Sequence, residues 1–433
     1  MEKNQFFSIK IVNNKNINFF ERTVIMDKTL LEKYANLIVK KGLNIDPGQE
    51  VYIIAGVDQM DFLYMVVEKC YQAGASRVHT DIKDQGLSRL AYLHMTEDKL
   101  GEVAPWELAT WQWRKDNLPA LLWLDSDDPS GLDDVDATKR ANSQIARYPI
   151  IKPFRDATEN RFQWCIAGVP GVKWAKKVFP NLDDASAVEK LWEAILYTAR
   201  VDENCPIENW NKHNETIHKR CEILNNYKFK SLHYQSSNGT NLTVGLMEQG
   251  IFAGGSEKDL SNREFNPNIP SEEIFTTPKS GVAEGIVYSS KPLSYQGKLI
   301  ENFSIEFKDG KAVAVKAETG QEDLEKMIAM DEGAARLGEC ALIGKNSPIN
   351  NLNILFYSTL YDENASCHFA MGRGFDICVD NFAKYTKEEL ISLGVNDSMI
   401  HVDFMIGTDD LEVSGITEDG TEVAIFRNGD WVF

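Results

Sequence analysis

Residues 50–80 read EVYIIAGVDQMDFLYMVVEKCYQAGASRVHT, and this stretch sets the fold of the first half of the chain. Residues 50–54 form an apolar run typical of a buried strand, and residues 60–73 have the spacing of an amphipathic helix that ends before Gly74. A second strand is predicted over residues 76–80. A strand, a helix and another strand in this order predict parallel strands joined by a crossover helix.

The same alternation extends along the first half in both directions. Leu121–Leu124 and Gln163–Ala167 predict two further strands, and residues 184–226 predict helices. An amphipathic run ahead of the first strand ends near Gly42, which takes the position of a C-cap. We therefore predict an α/β domain over residues 26–228, with a parallel sheet that is covered on both faces.

After about residue 228 the pattern changes to short β-like runs separated by turn signals. Asp309-Gly310 lies between two such runs and is a strong signal for a hairpin. One helix is predicted from Gln321 to Leu337. Residues 229–433 therefore predict an α+β domain that is largely antiparallel.

The first 25 residues differ from the rest, because they are rich in Asn and Lys and contain few helix signals. We interpret residues 1–25 as an N-terminal extension that belongs to neither domain. Our hypothesis is that Met26 is the natural start, or that the extension is a loosely attached arm. An edge strand in the run FFSIKIV is the alternative.

The charge of the chain and the length of its apolar runs argue against two classes of partner. Among its 433 residues, 46 are Lys or Arg and 65 are Asp or Glu, which gives a formal net charge of −19. Such a charge repels phosphate backbones, so we expect no nucleic-acid partner. No apolar run reaches the roughly 18 residues that a membrane span needs, so we expect no membrane partner.

The cysteines and the N-terminus indicate the compartment. The seven cysteines are odd in number and none has the C-x-x-C spacing, which argues against a disulfide framework and a structural zinc knuckle. The N-terminus lacks the apolar segment and the cleavage site of a secretory signal. We therefore expect a cytoplasmic protein.

Known motifs of the α/β folds are missing from the first half. The turn after the first strand, residues 54–58, lacks the glycine patterns that bind dinucleotides or triphosphates, and G-x-S-x-G is absent. The aromatic stretch Trp106–Trp113 is interpreted as core or interface packing, since aromatic side chains dominate buried contacts.

Candidate metal ligands cluster in the second half. His401 and Asp403 lie two apart in an apolar strand, so their side chains share one face and could bind a divalent cation. A hydrogen-bonded core pair is the commoner explanation of this pattern. Further carboxylates lie beside apolar residues, where burial is costly unless they are paired or bound to metal. They occur in residues 268–275, 337–342 and 361–368.

Four segments in this half resemble the signatures of the thermophilic aminopeptidase family, the group of bacterial aminopeptidases S and T. They are NIPSEEIFTTP (268–278), LGECALIG (337–344), LFYSTLYDENASCHFAMGRG (355–374) and IHVDFMIG (400–407). The resemblance covers about residues 26–433. It implies a metal-dependent aminopeptidase with a dinuclear metal site in the C-terminal domain.

The resemblance also implies a ligand set and a mechanism. Two divalent ions per chain, of zinc, cobalt or manganese, would activate a water for hydrolysis. Glu339 matches the carboxylate that bridges the two ions. By position, the implied ligands are Glu273, Glu339, Glu363, His368, His401 and Asp403.

One position departs from the family pattern. The family has a catalytic Tyr seven residues after its first His ligand, and this chain has Phe375 there. A Tyr hydroxyl would donate a hydrogen bond to the developing oxyanion, and losing one such donor typically costs about 2.7–4 kcal/mol. Turnover is therefore expected to be weak, redirected or supported by another group.

The general base is assigned by proximity. Glu272 precedes the ligand Glu273 and is our candidate, although neighbouring residues on a strand face opposite ways, so that its carboxylate would then point to solvent. Arg373 is a candidate for orienting a carboxylate or the substrate carbonyl, with a structural salt bridge as the commoner explanation.

The family further implies a homodimer with an enclosed active site that admits short peptides. Two other interpretations remain open at this point. The first is a catalytically impaired relative that binds metal or peptide, which Phe375 favours and the complete ligand set opposes. The second is a metallohydrolase that acts on a non-peptide substrate.

Overall fold

A computed structural model describes residues 27–202 and 204–433 of the chain. The predicted extension of residues 1–25, its alternative as an edge strand and the proposed start at Met26 lie outside the described residues. Within the described ranges, no helix is both long and apolar enough to cross a membrane.

The first half alternates helices with parallel strands, as predicted. Its strands are β1 Glu50–Gly56, β2 Arg77–Lys83, β3 Ala120–Asp125 and β4 Trp164–Gly168. Its helices are α1 Lys28–Leu37, α2 Met60–Gln72, α3 Gln85–His94, α4 Glu97–Gly101, α5 Pro105–Asn117, α6 Ala137–Thr158, α7 Val172–Val178, α8 Asp184–Thr198 and α9 Pro206–Tyr227.

The second half is mainly strands, with short helices between them. The strands are β5 Phe229–Gln235, β6 Asn241–Leu246, β7 Ala253–Gly254, β8 Glu257–Lys258, β9 Glu264–Phe265, β10 Asn268–Ile269, β11 Ile274–Thr276, β12 Pro278–Tyr288, β13 Leu293–Tyr295, β14 Lys298–Ile300, β15 Ser304–Lys308, β16 Lys311–Lys316, β17 Leu337–Leu342, β18 His368–Gly372, β19 His401–Met405, β20 Glu412–Thr417, β21 Glu422–Arg427 and β22 Asp430–Trp431. The helices are α10 Gln321–Ile328, α11 Pro348–Asn351, α12 Thr359–Asp362 and α13 Lys387–Leu393.

The first sheet has the strand order β10-β4-β3-β1-β2, and all of its pairs are parallel. Its edge strand β10 comes from the second half of the chain, which the local pattern did not predict. The predicted boundary coincides with a change of element, since α9 ends before Lys228 and β5 begins at Phe229. The chain nevertheless crosses that boundary again to complete the first sheet, and the division into two domains remains a prediction.

The two faces of the first sheet are covered unequally. Val51, Ile53 and Leu122 point to one face and are fully buried in the main apolar core of this half. On the opposite face Leu121 is half-buried, and the Trp123 side chain is 44% exposed. The predicted cover is present on this second face too, because Trp113 and Arg114 of α5 pack on Tyr52, but it is incomplete where the face borders a cavity.

The remaining large sheets are antiparallel, which confirms the predicted class of the second half. One has the order β19-β18-β17-β11-β7, and the other has the order β16-β15-β12-β6-β5-β20-β21-β22. The hairpin predicted at Asp309-Gly310 joins β15 to β16. The first of these sheets carries the candidate metal ligands.

Two local predictions are wrong, and tertiary packing explains both. The helix predicted through Leu337 ends at Ile328, because residues 337–342 are all buried as the strand β17 between β11 and β18. The helix α1 does not end at Gly42 but continues as a π-turn to Leu43, and Asn44 takes the left-handed conformation that ends it. Gly42 lies against Cys165 instead, where an added Cβ would come within 2.6 Å of the Sγ atom.

Candidate metal centre

The antiparallel sheet brings four of the six predicted ligands together. Glu339 lies on β17, His368 begins β18, and His401 and Asp403 lie on β19. Ala370 on β18 stands between Glu339 and Asp403 in register, so that only a methyl group separates the two carboxylates across the sheet.

The other two predicted ligands come from irregular segments beside this sheet. Glu273 immediately precedes β11, which pairs with β17, and Glu363 begins a 3₁₀ turn that follows α12. All six predicted ligands therefore lie close together in the fold.

The side chains form two groups with the spacing of metal ligands. Glu273, Glu339 and His368 make one group and Glu339, His401 and Asp403 the other, with ligand atoms within 4.8 Å of one another in each. Glu339, only 3% exposed, belongs to both groups. Its carboxylate is thus placed where a bridging ligand would be.

Both imidazoles are oriented by main-chain carbonyls. The Nδ1 atom of His368 lies 2.8 Å from the carbonyl oxygen of Glu363, and that of His401 lies 2.7 Å from the carbonyl oxygen of Arg373. If Nδ1 carries the proton and donates to the carbonyl, Nε2 presents its lone pair to the carboxylates, as in metal-binding histidines.

The Nε2 atom of His368 is buried and makes no hydrogen bond within the described part of the chain. It lies 3.6 Å from the nearest oxygen of Glu273, which is longer than a hydrogen bond. Such buried polar atoms almost always have a partner. The donor set of carboxylates and imidazoles, together with this unsatisfied nitrogen, fits a divalent cation.

The electrostatics of the carboxylates also favour a bound cation. Burial, followed by the nearby carboxylates Glu339 and Asp403, raises the pKa of Glu273 well above its usual range. Burial also raises the pKa of Glu363 well above its usual range, with Asp403 adding to the effect. Carboxylates crowded in this way are costly to keep ionised without a cation.

When no cation is bound, a protonated His401 supplies part of the compensating charge. Burial opposes its protonation, but Asp403 and Glu339 outweigh burial and the pKa of His401 lies well above its usual value. Its Nε2 atom lies 3.2 Å from an oxygen of each carboxylate. Burial would raise the pKa of Asp403, but His401 overcomes this effect and lowers it to about 2.

Glu272 is placed differently from the ligands. Its two carboxylate oxygens accept hydrogen bonds from Arg200 at 2.6 and 2.9 Å, and its backbone amide donates to the Oδ1 atom of Asn364. It does not line the cavity described below. Its role as the general base remains a prediction, and this ion pair gives Glu272 a second role in fixing the segment that carries Glu273.

Phe375 lies beside the ligands. Its ring centroid is 4.8 Å from that of His401 and 5.4 Å from that of Phe275, and its amide donates a 2.7 Å hydrogen bond to Thr277. The position expected to hold a Tyr therefore lies within the site. Arg373 donates a hydrogen bond of 2.6 Å to Glu159, which matches the structural salt bridge considered for it.

A cavity of about 560 Å³, the central cavity, opens from the ligands towards the first sheet. One side, the acidic wall, contains Glu257, Glu273, Glu339, Glu363 and Asp403. A second part of the lining, the basic wall, contains Trp111, Arg114 and Arg155 from α5 and α6.

The sequence analysis missed several of these residues. Of the two roles predicted for Trp106–Trp113, core packing is wrong, since α5 has no buried residue and Trp106 is 70% exposed, while interface packing stays a prediction. Trp111 and Arg114, three apart on one helix face, were the available signal for this side of the cavity. Glu257 lies in no recognisable motif, and only the fold brings it to the acidic wall.

Comparison with known proteins identifies the family. The model of the thermophilic metalloprotease (M29) family matches residues 27–431. Aminopeptidase 2 of Geobacillus stearothermophilus is 38% identical over 404 residues, which are 93% of this chain and 98% of that protein. Aminopeptidase AmpS of Bacillus subtilis (strain 168) is 37% identical over 404 residues, again 93% of this chain and 98% of that protein.

A solved structure is similar over the same range. Wild-type AmpT from Thermus thermophilus superposes with a TM-score of 0.86 at 36% identity and covers 94% of this chain and 100% of that one. The chain belongs to the thermophilic metalloprotease (M29) family. This membership confirms the resemblance drawn from the four segments, the predicted fold class and the expectation of a metallo-aminopeptidase.

Proposed function

We propose that the chain is a two-metal aminopeptidase that removes N-terminal residues from short peptides. The observation that carries this proposal is the position of Glu339, which belongs to both groups of ligand atoms. Dinuclear hydrolases hold their two ions about 3.5–4 Å apart, and a shared carboxylate suits that spacing.

Carboxylates and imidazoles are ligands that suit zinc, cobalt or manganese. When bound, two such ions would supply Lewis acidity towards the scissile carbonyl and lower the pKa of the attacking water. The main-chain carbonyls of Glu363 and Arg373 fix the two imidazoles that would hold them. The ligands in the proposal are Glu273, Glu339, Glu363, His368, His401 and Asp403.

The acidic wall also explains why cleavage would begin at the amino end. An α-amino group is attracted to carboxylates, whereas a peptide carboxylate is repelled by them. A short peptide is thus oriented with its amino end at the ligands.

Two carboxylates are candidates for accepting the proton of the attacking water. Glu272 is the candidate from sequence, and its oxygens are engaged by Arg200. Glu257 lines the cavity, and burial raises its pKa to about 7, close to the value that suits a general base. Glu257→Gln should lower kcat by about 10²-fold or more if Glu257 is the base, while Glu272→Gln should do so if Glu272 is.

Phe375 supports a second candidate function. Its ring has no hydroxyl to donate to an oxyanion, which favours a relative that binds metal and peptide with little turnover.

The proposed aminopeptidase is also a homodimer, acts only on short peptides and is located in the cytoplasm. The seven free cysteines suit a reducing compartment.

Release of amino acids from aminoacyl p-nitroanilides, with and without added cobalt or zinc, tests the proposed function. We expect release that depends on the metal and stops with a chelator. Bound metal and bound peptide without release would instead identify the impaired relative. Bound metal without peptide binding would favour a metallohydrolase of another substrate class.

A further inference from the structure

The basic wall contains two cations that have no anionic partner. Arg114 and Arg155 form no ion pair and no side-chain hydrogen bond with the residues that the structure describes. The surrounding carboxylates form ion pairs elsewhere, since Asp81 pairs with Lys83, Glu107 with Arg147, Asp156 with Lys152 and Glu159 with Arg373. Two unpaired guanidinium groups therefore line the same cavity.

Arg114 is held in place by aromatic rings. Its Cζ atom lies 4.6 Å from the centroid of the Trp111 ring and 5.4 Å from that of the Tyr52 ring. Burial lowers the pKa of Arg114, while the nearby Tyr52 and Asp81 raise it and the positive charge of Arg155 lowers it further. Arg114 is therefore partly desolvated and is repelled by Arg155, which is itself exposed, and an anion between the two groups would relieve this repulsion.

We propose that Arg114 and Arg155, which line the same cavity as the candidate ligands, bind the C-terminal carboxylate of a short peptide, so that the cavity selects peptides with a free C-terminus. This inference rests on the proposed function, because it assumes that the amino end lies at the ligands. Arginine suits the role, since its planar donor groups match a carboxylate. Trp111 and Tyr52 fix the orientation of that donor plane.

The test compares a tetrapeptide such as Leu-Gly-Gly-Gly with its C-terminal amide on the metal-loaded enzyme. We expect kcat/KM to be higher for the free acid by roughly 10-fold or more, mainly through KM, as for a hydrogen bond to a charged group. Arg114→Gln and Arg155→Gln should each lower kcat/KM for the acid by roughly 10- to 100-fold and leave the amide and leucine p-nitroanilide unchanged.

Arg114→Lys, which keeps the charge, should retain part of the preference, and Lys115→Gln is the matched control. Lys115 follows Arg114 on α5 and does not line the cavity. Equal rates for acid and amide in the wild type, or an equal loss for both in the variants, would overturn the inference.

A binding measurement separates this inference from the proposed function. A tetrapeptide whose first peptide bond is reduced to a methylene amine can be titrated calorimetrically, as acid and as amide, whether or not the protein is active. Failure to hydrolyse any aminoacyl reporter refutes the proposed function alone. A preference for the acid that Arg114→Gln abolishes supports the inference, and equal affinities contradict it. If the arginine variants weaken a dimer and leave the preference intact, the pair belongs to an interface and the inference is wrong.

Discussion

The acidic and basic walls of the central cavity hold their charges in different ways. Glu339 and Asp403 are on regular strands in the middle of an antiparallel sheet, with Ala370 between them in register. Arg114 and Arg155 are on helices that cover only part of the first sheet, and α5 has no buried residue. Side chains whose rotamers are fixed by packing are more precisely positioned than side chains that are exposed.

This difference implies that the two walls have different functions. Substitutions in the acidic wall should affect metal binding and kcat, because in the proposed function those side chains surround the reacting bond. Substitutions in the basic wall should affect KM for substrates with a free carboxylate. Four substitutions test whether a change in one wall alters the function of the other.

The largest effect is expected for Glu339→Gln. Removing a shared ligand should disturb both ions, so kcat/KM should fall by at least about 10³-fold and the metal content should drop. Steady-state kinetics and elemental analysis measure the two quantities. Glu306→Gln, at an exposed position on β15, is the matched control and should change neither. Full activity in Glu339→Gln would show that the acidic wall takes no part in catalysis.

The next largest effect is expected for Phe375→Tyr, which adds a hydroxyl beside His401. If an oxyanion donor is missing here, kcat should rise by up to about 10²-fold with little change in KM. Phe382→Tyr, outside the cavity, controls for the effect of any added hydroxyl. An unchanged kcat would show that position 375 does not supply the donor.

A smaller effect is expected for the pH dependence of stability. Burial raises the pKa of Glu257 to about 7 from its ordinary value of about 4.5, so the stability it contributes is present below pH 4.5 and is lost as the pH rises through 7. Glu257→Gln should therefore raise the melting temperature of the metal-free protein at pH 8 by about 2 °C and change it little at pH 4.5. Thermal unfolding at the two pH values measures this difference. The same gain at both pH values would contradict the assignment.

The smallest effect on activity is expected for Gly42→Ala, at a position that contacts strand β4 of the first sheet. The added Cβ would come within 2.6 Å of Cys165 Sγ on β4, so the free energy of unfolding should fall by about 1–3 kcal/mol. Metal content should stay the same, because the acidic wall belongs to another sheet. Gly86→Ala, at an exposed position on α3, is the control for the backbone effect. Loss of metal in Gly42→Ala would show that the two walls are coupled.

Local patterns predicted the regular parts of the fold. The strands β1, β3 and β4 were recognisable from short apolar runs, and the hairpin at Asp309-Gly310 from its turn residues. The pattern failed where tertiary contacts decide the conformation. Residues 337–342 are a buried strand because they pair with β11 and β18, and β10 joins the first sheet from a distant part of the chain.

The candidate site shows the same division. The resemblance to a family placed six ligands, because they lie in four compact segments, and the fold brings all six together. Arg114, Arg155 and Glu257 were not predicted, since their relation to the ligands exists only across the cavity. Glu272 was proposed because it precedes Glu273 in the sequence. Its ion pair with Arg200 joins distant residues, so the sequence did not predict it.

The most direct test of the central claim is a crystal structure of the metal-loaded enzyme with anomalous data at the absorption edge of the metal. The account predicts two anomalous peaks about 3.5–4 Å apart, each about 2.0–2.2 Å from an oxygen of Glu339. A single peak, or two peaks that Glu339 does not contact, would contradict it.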